Sequence, residues 1–338
     1  MVKHCNAYTL SLTLPLISRQ MSIHFHTVTS PDAQSQQSHQ QPRARVLAIG
    51  NMDGVHLGHQ ALVKTARALA DAAGHRCGLL PFAPHPREYF NPALRPLTLM
   101  RPASKIKALR KLGVDDVIFT RFDHKFAAME AEDFILKFCV EKLGAHHIVT
   151  GDNFYFGRNR KGNVALLEKT MRELKLGYSC VEPVLCENDE TISSSRIRQV
   201  LSGGNVLAAA ELLGRPFNLE GRIGHGDKRG REIGFPTANM PLHNLYLPAF
   251  GVYVVRTVID GTAYKGVANL GVRPTFDGER PRLEVHLFEF DGNLYGKRLS
   301  VDLCDYIRPE QAFDGVEMLV DQIKQDVVKA KELLAANC

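Results

Sequence analysis

One stretch constrains this chain more than any other: Val46-Leu-Ala-Ile-Gly-Asn-Met-Asp-Gly-Val-His-Leu-Gly-His-Gln60. Val46 to Ile49 is a short apolar run of the kind that makes a buried strand. Gly50, Asn51, Asp53 and Gly54 break that run with residues suited to a tight turn. From Leu57 the apolar residues Leu57, Ala61, Leu62, Ala66, Leu69 and Ala73 recur at helical spacing, and Gly74 supplies the stop. The predicted unit is a strand, a glycine turn and a helix N-terminus. Its unpaired N–H groups and the helix dipole attract anions.

His56 and His59 stand three residues apart in the first helical turn, so they face the same way. Gly58 between them has no side chain to obstruct a close ligand. Two imidazoles beside free backbone N–H groups suit a triphosphate on which charge builds as pyrophosphate leaves. Two histidines alone would fit an ordinary surface helix; the strand, the turn and the His-x-Gly-His spacing together favour the anion site. That tetrad resembles the signature of nucleotidylyltransferases. The longer string from Gly50 to His59 is similar to the opening motif of bacterial bifunctional riboflavin kinase/FAD synthetases. That family usually has Phe where this chain has Met52. Met is also apolar and has similar reach, so altered packing rather than altered chemistry is expected.

At 338 residues the chain is long enough for two domains with sizeable cores. An apolar fraction of 44% and a charged fraction of 23% are ordinary for a soluble globular protein. The net charge of +6 suits polyanionic small molecules and is too weak and scattered to imply nucleic acid. Seven dispersed cysteines without Cys-x-x-Cys spacing read as reduced thiols of a cytoplasmic protein. No apolar run has the length of a membrane span. The oligomeric state stays open.

Residues 1–44 differ in texture, with Gln and Ser crowded between Ala33 and Pro42. They read as a poorly ordered extension. A signal peptide fits less well, because the apolar run Leu10 to Ile17 is short and contains Pro15. An organellar transit peptide, or a start at Met21, remains open.

Across 45–203 strand-like and helix-like stretches alternate, which predicts a parallel sheet with helices on both faces and ligands beyond the carboxyl ends of its strands. Three strings after the first turn carry candidate chemistry. In Phe82-Ala-Pro-His-Pro86 two prolines stiffen the backbone around His85. In Gly151-Asp-Asn-Phe-Tyr-Phe-Gly157, with Arg158, Arg160 and Lys161 following, flat rings beside cations suit a flat heteroaromatic carrying phosphate. The alternative there is a basic surface loop with its aromatics tucked underneath. In Ile192-Ser-Ser-Ser-Arg-Ile-Arg198 the serines can cap a helix, and Arg196 and Arg198 add positive charge.

All three strings resemble segments of the same family. The resemblance implies that Gly50, Asn51, Asp53, Gly58 and His85 bind nucleotide, and that Asp152, Asn153, Phe154 and Phe156 line the flavin side. It also implies that Ser193, Ser194, Ser195 and Arg198 grip ATP phosphates opposite His56 and His59. Asn163 stands where the family commonly has Asp, so no charge-dependent role is assigned to it.

Residues 204–217 read as a linker in which Leu207 to Leu213 forms one more short helix, and 218–338 change character, with short alternating segments and recurrent glycine turns that predict an antiparallel β-barrel. Val316 to Leu334 forms one amphipathic helix to pack on it. The glycines of the string 221–239, among them Gly226, Gly230 and Gly234, leave backbone N–H groups open, and Lys228 adds charge. This is a phosphate-embracing loop without the Gly-Lys-Ser/Thr of a Walker sequence. Thr237 and Asn239 put two hard oxygens on one side of an extended segment, suited to Mg²⁺ bridged to nucleotide phosphates. Alternation along Leu283-Glu-Val-His-Leu-Phe288 puts Glu284 and His286 on one face and Leu283, Val285 and Leu287 on the other.

Gly-Phe-Pro-Thr-Ala-Asn239, the segment Gly266 to Thr275 and then Glu284 resemble, in order, the family's riboflavin kinase domain. The resemblance implies that Asn269 and Arg273 bind ligand and that Glu284 is the general base on the riboflavin 5′-hydroxyl. It covers about residues 45–335. The implied fold is a Rossmann-like α/β nucleotidylyltransferase domain followed by an antiparallel β-barrel kinase domain with a C-terminal helix. The implied activity is ATP-dependent phosphorylation of riboflavin to FMN, then adenylylation of FMN to FAD. ATP is co-substrate and Mg²⁺ the cofactor; neither nucleic acid nor membrane is an expected partner.

Overall fold

The computed structural model describes residues 21–26, 43–93, 96–224, 230, 233–275 and 278–336. The first unit is a parallel sheet. Its strands are β1 (Ser22–His26), β2 (Arg45–Ile49), β3 (Arg76–Leu80), β4 (Phe82–Ala83), β5 (Asp116–Arg121), β6 (Ala145–Gly151) and β7 (Gly177–Val181). The lateral order is β1-β5-β3-β2-β6-β7, with β4 paired to β5. The α-helices of five or more residues are α1 (Leu57–Ala73), α2 (Pro86–Phe90), α3 (Pro102–Lys111), α4 (Val164–Glu173), α5 (Ser194–Ser202) and α6 (Val206–Leu213); a π-helical stretch, Phe134–Lys142, precedes β6. From β2 the chain proceeds one way through β3 and β5, then crosses to β6 and β7 on the other side. The strand order therefore reverses between β2 and β6, and the crevice at their carboxyl ends is where ligands of such sheets bind.

Two observations bear on the segments that flank the first unit. Part of the extension 1–44 belongs to the sheet: Ser22–His26 pairs in parallel with β5 from Asp116 to Thr120. The linker 204–217 contains the short helix expected from Leu207 to Leu213, observed as α6, and it is packed. Val206, Ala209, Leu212 and Leu213 of α6 are buried in one core with Leu99, Ile197 and Leu201 before them and Phe217, Leu219 and Tyr253 after. A shared apolar core of this kind fixes the two units against each other.

At the amino ends of the strands, Asp116 is almost fully buried and accepts hydrogen bonds from Arg45 and Arg76. Burial works against its charge, but the two guanidiniums hold its carboxyl below the ordinary value. This ion cluster ties β2, β3 and β5 together at the end away from the crevice.

The second unit is one antiparallel sheet in the order β8-β13-β10-β11-β12-β9. Its strands are β8 (Phe217–Arg222), β9 (Ala238–Pro241), β10 (Gly251–Ile259), β11 (Thr262–Thr275), β12 (Gly278–Leu287) and β13 (Arg298–Arg308). The sheet curls until its two edges meet in a bridge between Gly224 and Asn239, where the Gly224 N–H donates to the Asn239 carbonyl at 2.8 Å. The expected alternation holds along β12, where Leu283, Val285 and Leu287 are buried inside. The C-terminal helix α7 (Val316–Ala336) lies on the outside, seated by Ala330 and Leu334 against Val254 and Val267. Arg308 of β13 makes a two-pronged ion pair with Asp326 of α7, at 2.9 and 2.7 Å.

Candidate active sites

The turn after β2 is strained. Met52 and Val55 have φ of 50° and 46°, the left-handed region that side-chain-bearing residues avoid, and Gly54 has φ of 82°. Each such residue costs about 1–3 kcal/mol. Both side chains are almost fully buried, which contributes about 1.5–3 kcal/mol apiece. Burial of Met52 thus offsets the strain, so this side chain acts in packing. The turn ends by starting α1, whose N-cap is His56, an unusual residue type for that place. His56 Nδ1 accepts from the His59 N–H at 3.3 Å. A ring nitrogen that accepts carries no proton, so the proton sits on Nε2. His85 repeats the device on α2, with Nδ1 accepting from the Arg87 N–H at 3.1 Å.

The His56 and His59 rings stack with centroids 3.6 Å apart. His59 Nδ1 is buried without a hydrogen-bond partner among the described residues. Burial, reinforced by Arg198 and Arg215, lowers the His56 pKa to about 4. Burial, then His56 and Lys105, puts His59 well below its ordinary value. His85 is lowered to about 4 by burial and by Arg198. All three imidazoles are therefore neutral at physiological pH. They offer polar N–H groups, not permanent charges.

Arg198 of α5 comes to the same place. It is 8% exposed; its Nε donates to the Leu97 carbonyl at 2.7 Å and its Nη2 to Asp53. Ser194 Oγ donates to the Asp53 carbonyl at 2.9 Å, and Ser193 caps α5 by accepting from the Arg196 N–H. Ser195 is exposed. Asn51 Oδ1 accepts from the Phe82 N–H at 3.1 Å, joining the turn to the strand that leads to His85. Sequence positions 51, 56, 59, 85, 194 and 198 thus converge at the carboxyl ends of the strands.

Several expectations shift. Asp53, read as a nucleotide ligand, is 4% exposed and holds the Leu99 N–H and Arg198. Burial raises its carboxyl above the ordinary value, while Lys105 and Arg198 oppose this. Phe156, read as lining the flavin side, is buried in a phenylalanine cluster with Phe134 and Phe154. Asp152 and Asn153 are exposed at the end of β6, and Phe154 is half-buried. The competing reading, aromatics tucked under a basic loop, holds for Phe156. Arg196 is drawn to Glu190 in an ion pair. Asn163 caps α4 by accepting from the Leu166 N–H at 3.0 Å, a task that needs no charge.

In the barrel, strand register builds a second site. Glu284 on β12 stands directly opposite Asn239 on β9 and Asn269 on β11, so these side chains form one row across three strands. Glu284, Asn269 and Thr237 line a cavity of about 510 Å³ that reaches between β12 and α7. Asn269 Nδ2 donates to Glu310 at 3.0 Å, and Arg282 lies 4.0 Å from Glu284. Asn239 Nδ2 approaches the Thr237 hydroxyl at 3.5 Å, so a hydroxyl and an amide converge there. A second cavity of about 510 Å³ opens on the other side of Thr237, against Phe290 and Tyr295. The Phe235 N–H donates to the Gly230 carbonyl at 2.7 Å, and Gly234 has φ of 84°. Gly226, Lys228 and the Arg273 side chain lie outside the described residues.

Lys105, Arg215 and Tyr246 reach the first site without having been singled out in the sequence. Arg215 donates to the Gly54 carbonyl at 2.6 Å, and Tyr246 to the Arg198 carbonyl at 2.8 Å. Both come from beyond the sheet unit, and local patterning carries no signal for contacts that distant in sequence.

Comparison with known proteins gives a consistent result. Residues 38–196 match the FAD synthetase family and residues 213–334 the riboflavin kinase family. The bifunctional riboflavin kinase/FMN adenylyltransferase of Haemophilus influenzae is 42% identical over 287 residues, covering 84% of this chain and 92% of that protein. Proteins of the same description from Escherichia coli and Bacillus subtilis are 40% and 38% identical over similar spans. A crystal structure of a macrolide-efflux protein from Streptococcus pneumoniae matches with a TM-score of 0.77 at 34% identity, over 89% of this chain and 97% of that one. Among the described residues here, no helix is long and apolar enough to cross a membrane.

Proposed function

This chain belongs to the bifunctional riboflavin kinase/FMN adenylyltransferase family, and on that premise we propose which of its residues perform each reaction. It phosphorylates riboflavin to FMN and adenylylates FMN to FAD. Phosphoryl transfer is assigned to the barrel cavity and adenylyl transfer to the crevice at His56 and His59. The observation that carries the assignment is the carboxylate of Glu284, which shares a cavity of ligand size with Asn269 and Thr237 and stands in register with Asn239 on the next strand.

In the kinase step Glu284 accepts the proton of the riboflavin 5′-hydroxyl as that oxygen attacks the γ-phosphorus of ATP. The amides beside it orient the flavin chain and the nucleotide. Thr237 and Asn239 would supply two hard oxygens to a cation, the hydroxyl Oγ1 and the amide Oδ1, while phosphate and water would complete the shell. Magnesium bound there would neutralise charge on the transferring phosphoryl group.

In the adenylyl step the FMN phosphate attacks the α-phosphorus of ATP and pyrophosphate leaves. The attacking group is already an anion, so no protein nucleophile is needed. His56, with its proton on Nε2, is set to donate to a phosphate oxygen, and His59, Ser194, the α1 N-terminus and Arg198 add to that field. A neutral imidazole keeps one N–H donor, so this role does not require either ring to be protonated.

The test is a separation of activities. Glu284→Gln should lose riboflavin phosphorylation by about a hundredfold or more and retain FMN adenylylation. His59→Ala should do the reverse. Full kinase turnover in Glu284→Gln would remove its role as base, and parallel loss of both reactions in either variant would contradict separate sites.

A further inference from the structure

Lys105 lies on α3 and reaches back to the turn after β2, where its Nζ donates to the Asn51 carbonyl at 2.8 Å. That carbonyl belongs to the strained turn that delivers His56 to the start of α1. The ammonium sits close enough to three site residues on separate segments to act on each of them. It disfavours protonation of His59 and of His85 and stabilises the Asp53 carboxylate. His59 and His85 are among the residues that converge at the carboxyl ends of the strands, and Asn51, whose carbonyl it holds, is another, so Lys105 is a cation at the crevice.

Its existing partners do not use it up. An ammonium has three donors, and among the described residues Lys105 makes one hydrogen bond, to a neutral carbonyl. The nearest carboxylate, Asp53, already holds the Leu99 N–H and Arg198. The other cations of the crevice are also committed. Arg215 is spent on the carbonyls of Gly54, Val55 and Leu213, and Arg198 on Leu97 and Asp53. Lysine costs desolvation free energy in such a place, and a neutral donor such as Gln would brace the Asn51 carbonyl more cheaply. What an ammonium adds is charge for an arriving anion.

We propose that Lys105 binds the β- and γ-phosphates of ATP, the pair that leaves as pyrophosphate in adenylyl transfer. This rests on the assignment of that reaction to the His56–His59 crevice. The reaction forms a bond from the FMN phosphate oxygen to the α-phosphorus and breaks the bond from the α-phosphorus to the bridging oxygen. The electron pair stays on pyrophosphate, so negative charge grows on the group beside Lys105 and His59.

The experiment uses the full-length protein and runs the adenylyl step backwards, from FAD and inorganic pyrophosphate to FMN and ATP. Lys105→Met should raise the KM for pyrophosphate by about tenfold or more, as expected for loss of one charge-assisted contact. The KM for FAD should change little, and Lys105→Arg should recover most of the loss. Riboflavin phosphorylation by the same preparations should match wild type, which shows that the variants fold. A wild-type KM for pyrophosphate in Lys105→Met would overturn the proposal, since a mere brace for the turn lowers kcat without changing pyrophosphate affinity. So would a Lys105→Arg variant as defective as Lys105→Met. His59→Ala assayed alongside separates the two levels. Intact adenylyl transfer in His59→Ala would sink the crevice assignment itself, whereas its loss there with normal pyrophosphate dependence in Lys105→Met would remove Lys105 alone.

Discussion

The hydroxyl of Tyr246, a residue between strands β9 and β10 of the barrel unit, donates to the backbone carbonyl of Arg198 in the first unit at 2.8 Å. The Tyr246 N–H also donates to the Thr98 carbonyl at 2.8 Å, beside the Leu97 carbonyl that receives the Arg198 guanidinium. One barrel residue thus braces both the backbone of the arginine and the segment that aims its side chain. Tyr246→Phe removes one hydrogen bond, worth roughly 1 kcal/mol. Adenylyl transfer should fall several-fold while riboflavin phosphorylation is unchanged. Steady-state rates of the two steps on the same sample check this.

Gly58 separates stability from activity. A Cβ at that position would meet the His56 ring at 3.2 Å and the Ile192 carbonyl at 3.4 Å. The backbone there is ordinary helix, where Ala is favoured over Gly by roughly 1 kcal/mol. Gly58→Ala should therefore melt no lower than wild type, yet displace the stacked imidazoles by a few tenths of an ångström and slow adenylyl transfer about tenfold. Calorimetry together with the FAD-forming rate decides it; a lower melting temperature would show that the ring cannot yield.

Asp53→Asn should be costly in a different way. The amide can still accept from the Leu99 N–H, but the buried Arg198 loses its carboxylate. Breaking one side of a buried ion pair typically costs about 3–5 kcal/mol. A drop in denaturation midpoint together with loss of adenylyl transfer is expected. An Asp53→Asn variant of wild-type stability would show that the pair contributes nothing.

The buried histidines set a pH dependence. His56 and His85 have folded-state pKa values of about 4, below the ordinary value of 6.5. Between these limits the unfolded chain binds more protons than the folded one, so stability rises with pH through that window. The contribution is complete above about pH 6.5 and is lost as pH falls toward 4. His56 alone should supply a slope on the order of 1 kcal/mol per pH unit. Thermal midpoints measured from pH 4 to 7 should rise and then level, and His56→Gln should flatten the rise.

The reading of the chain succeeded where the physics is local. The run Val46–Ile49, the turn residues and the apolar spacing up to Gly74 yield the strand, the turn and α1 close to their observed limits. Period-two alternation placed Leu283, Val285 and Leu287 inside the barrel, and Glu284 on the other face. It failed where a residue's partner lies far along the chain. Ser22–His26 alternates Ile23 and Phe25 with polar residues over only five positions, in an extension whose texture reads as poorly ordered, and it pairs with the edge of β5. Phe156 looked available because its loop is basic and glycine-rich, yet Phe134 covers it.

The sequence by itself determined the order of elements, the two-unit plan and the candidate residues for phosphate, because periodicity, turn chemistry and short motifs act within a few residues. Only the tertiary structure decided which of those residues reach a site and which support it. Whether Asp53 meets ligand or Arg198, and whether Asn239 and Asn269 flank Glu284, depends on burial and strand register across gaps of many residues. The physical reason is that desolvation and pairing are properties of the packed neighbourhood, which no local stretch of chain contains.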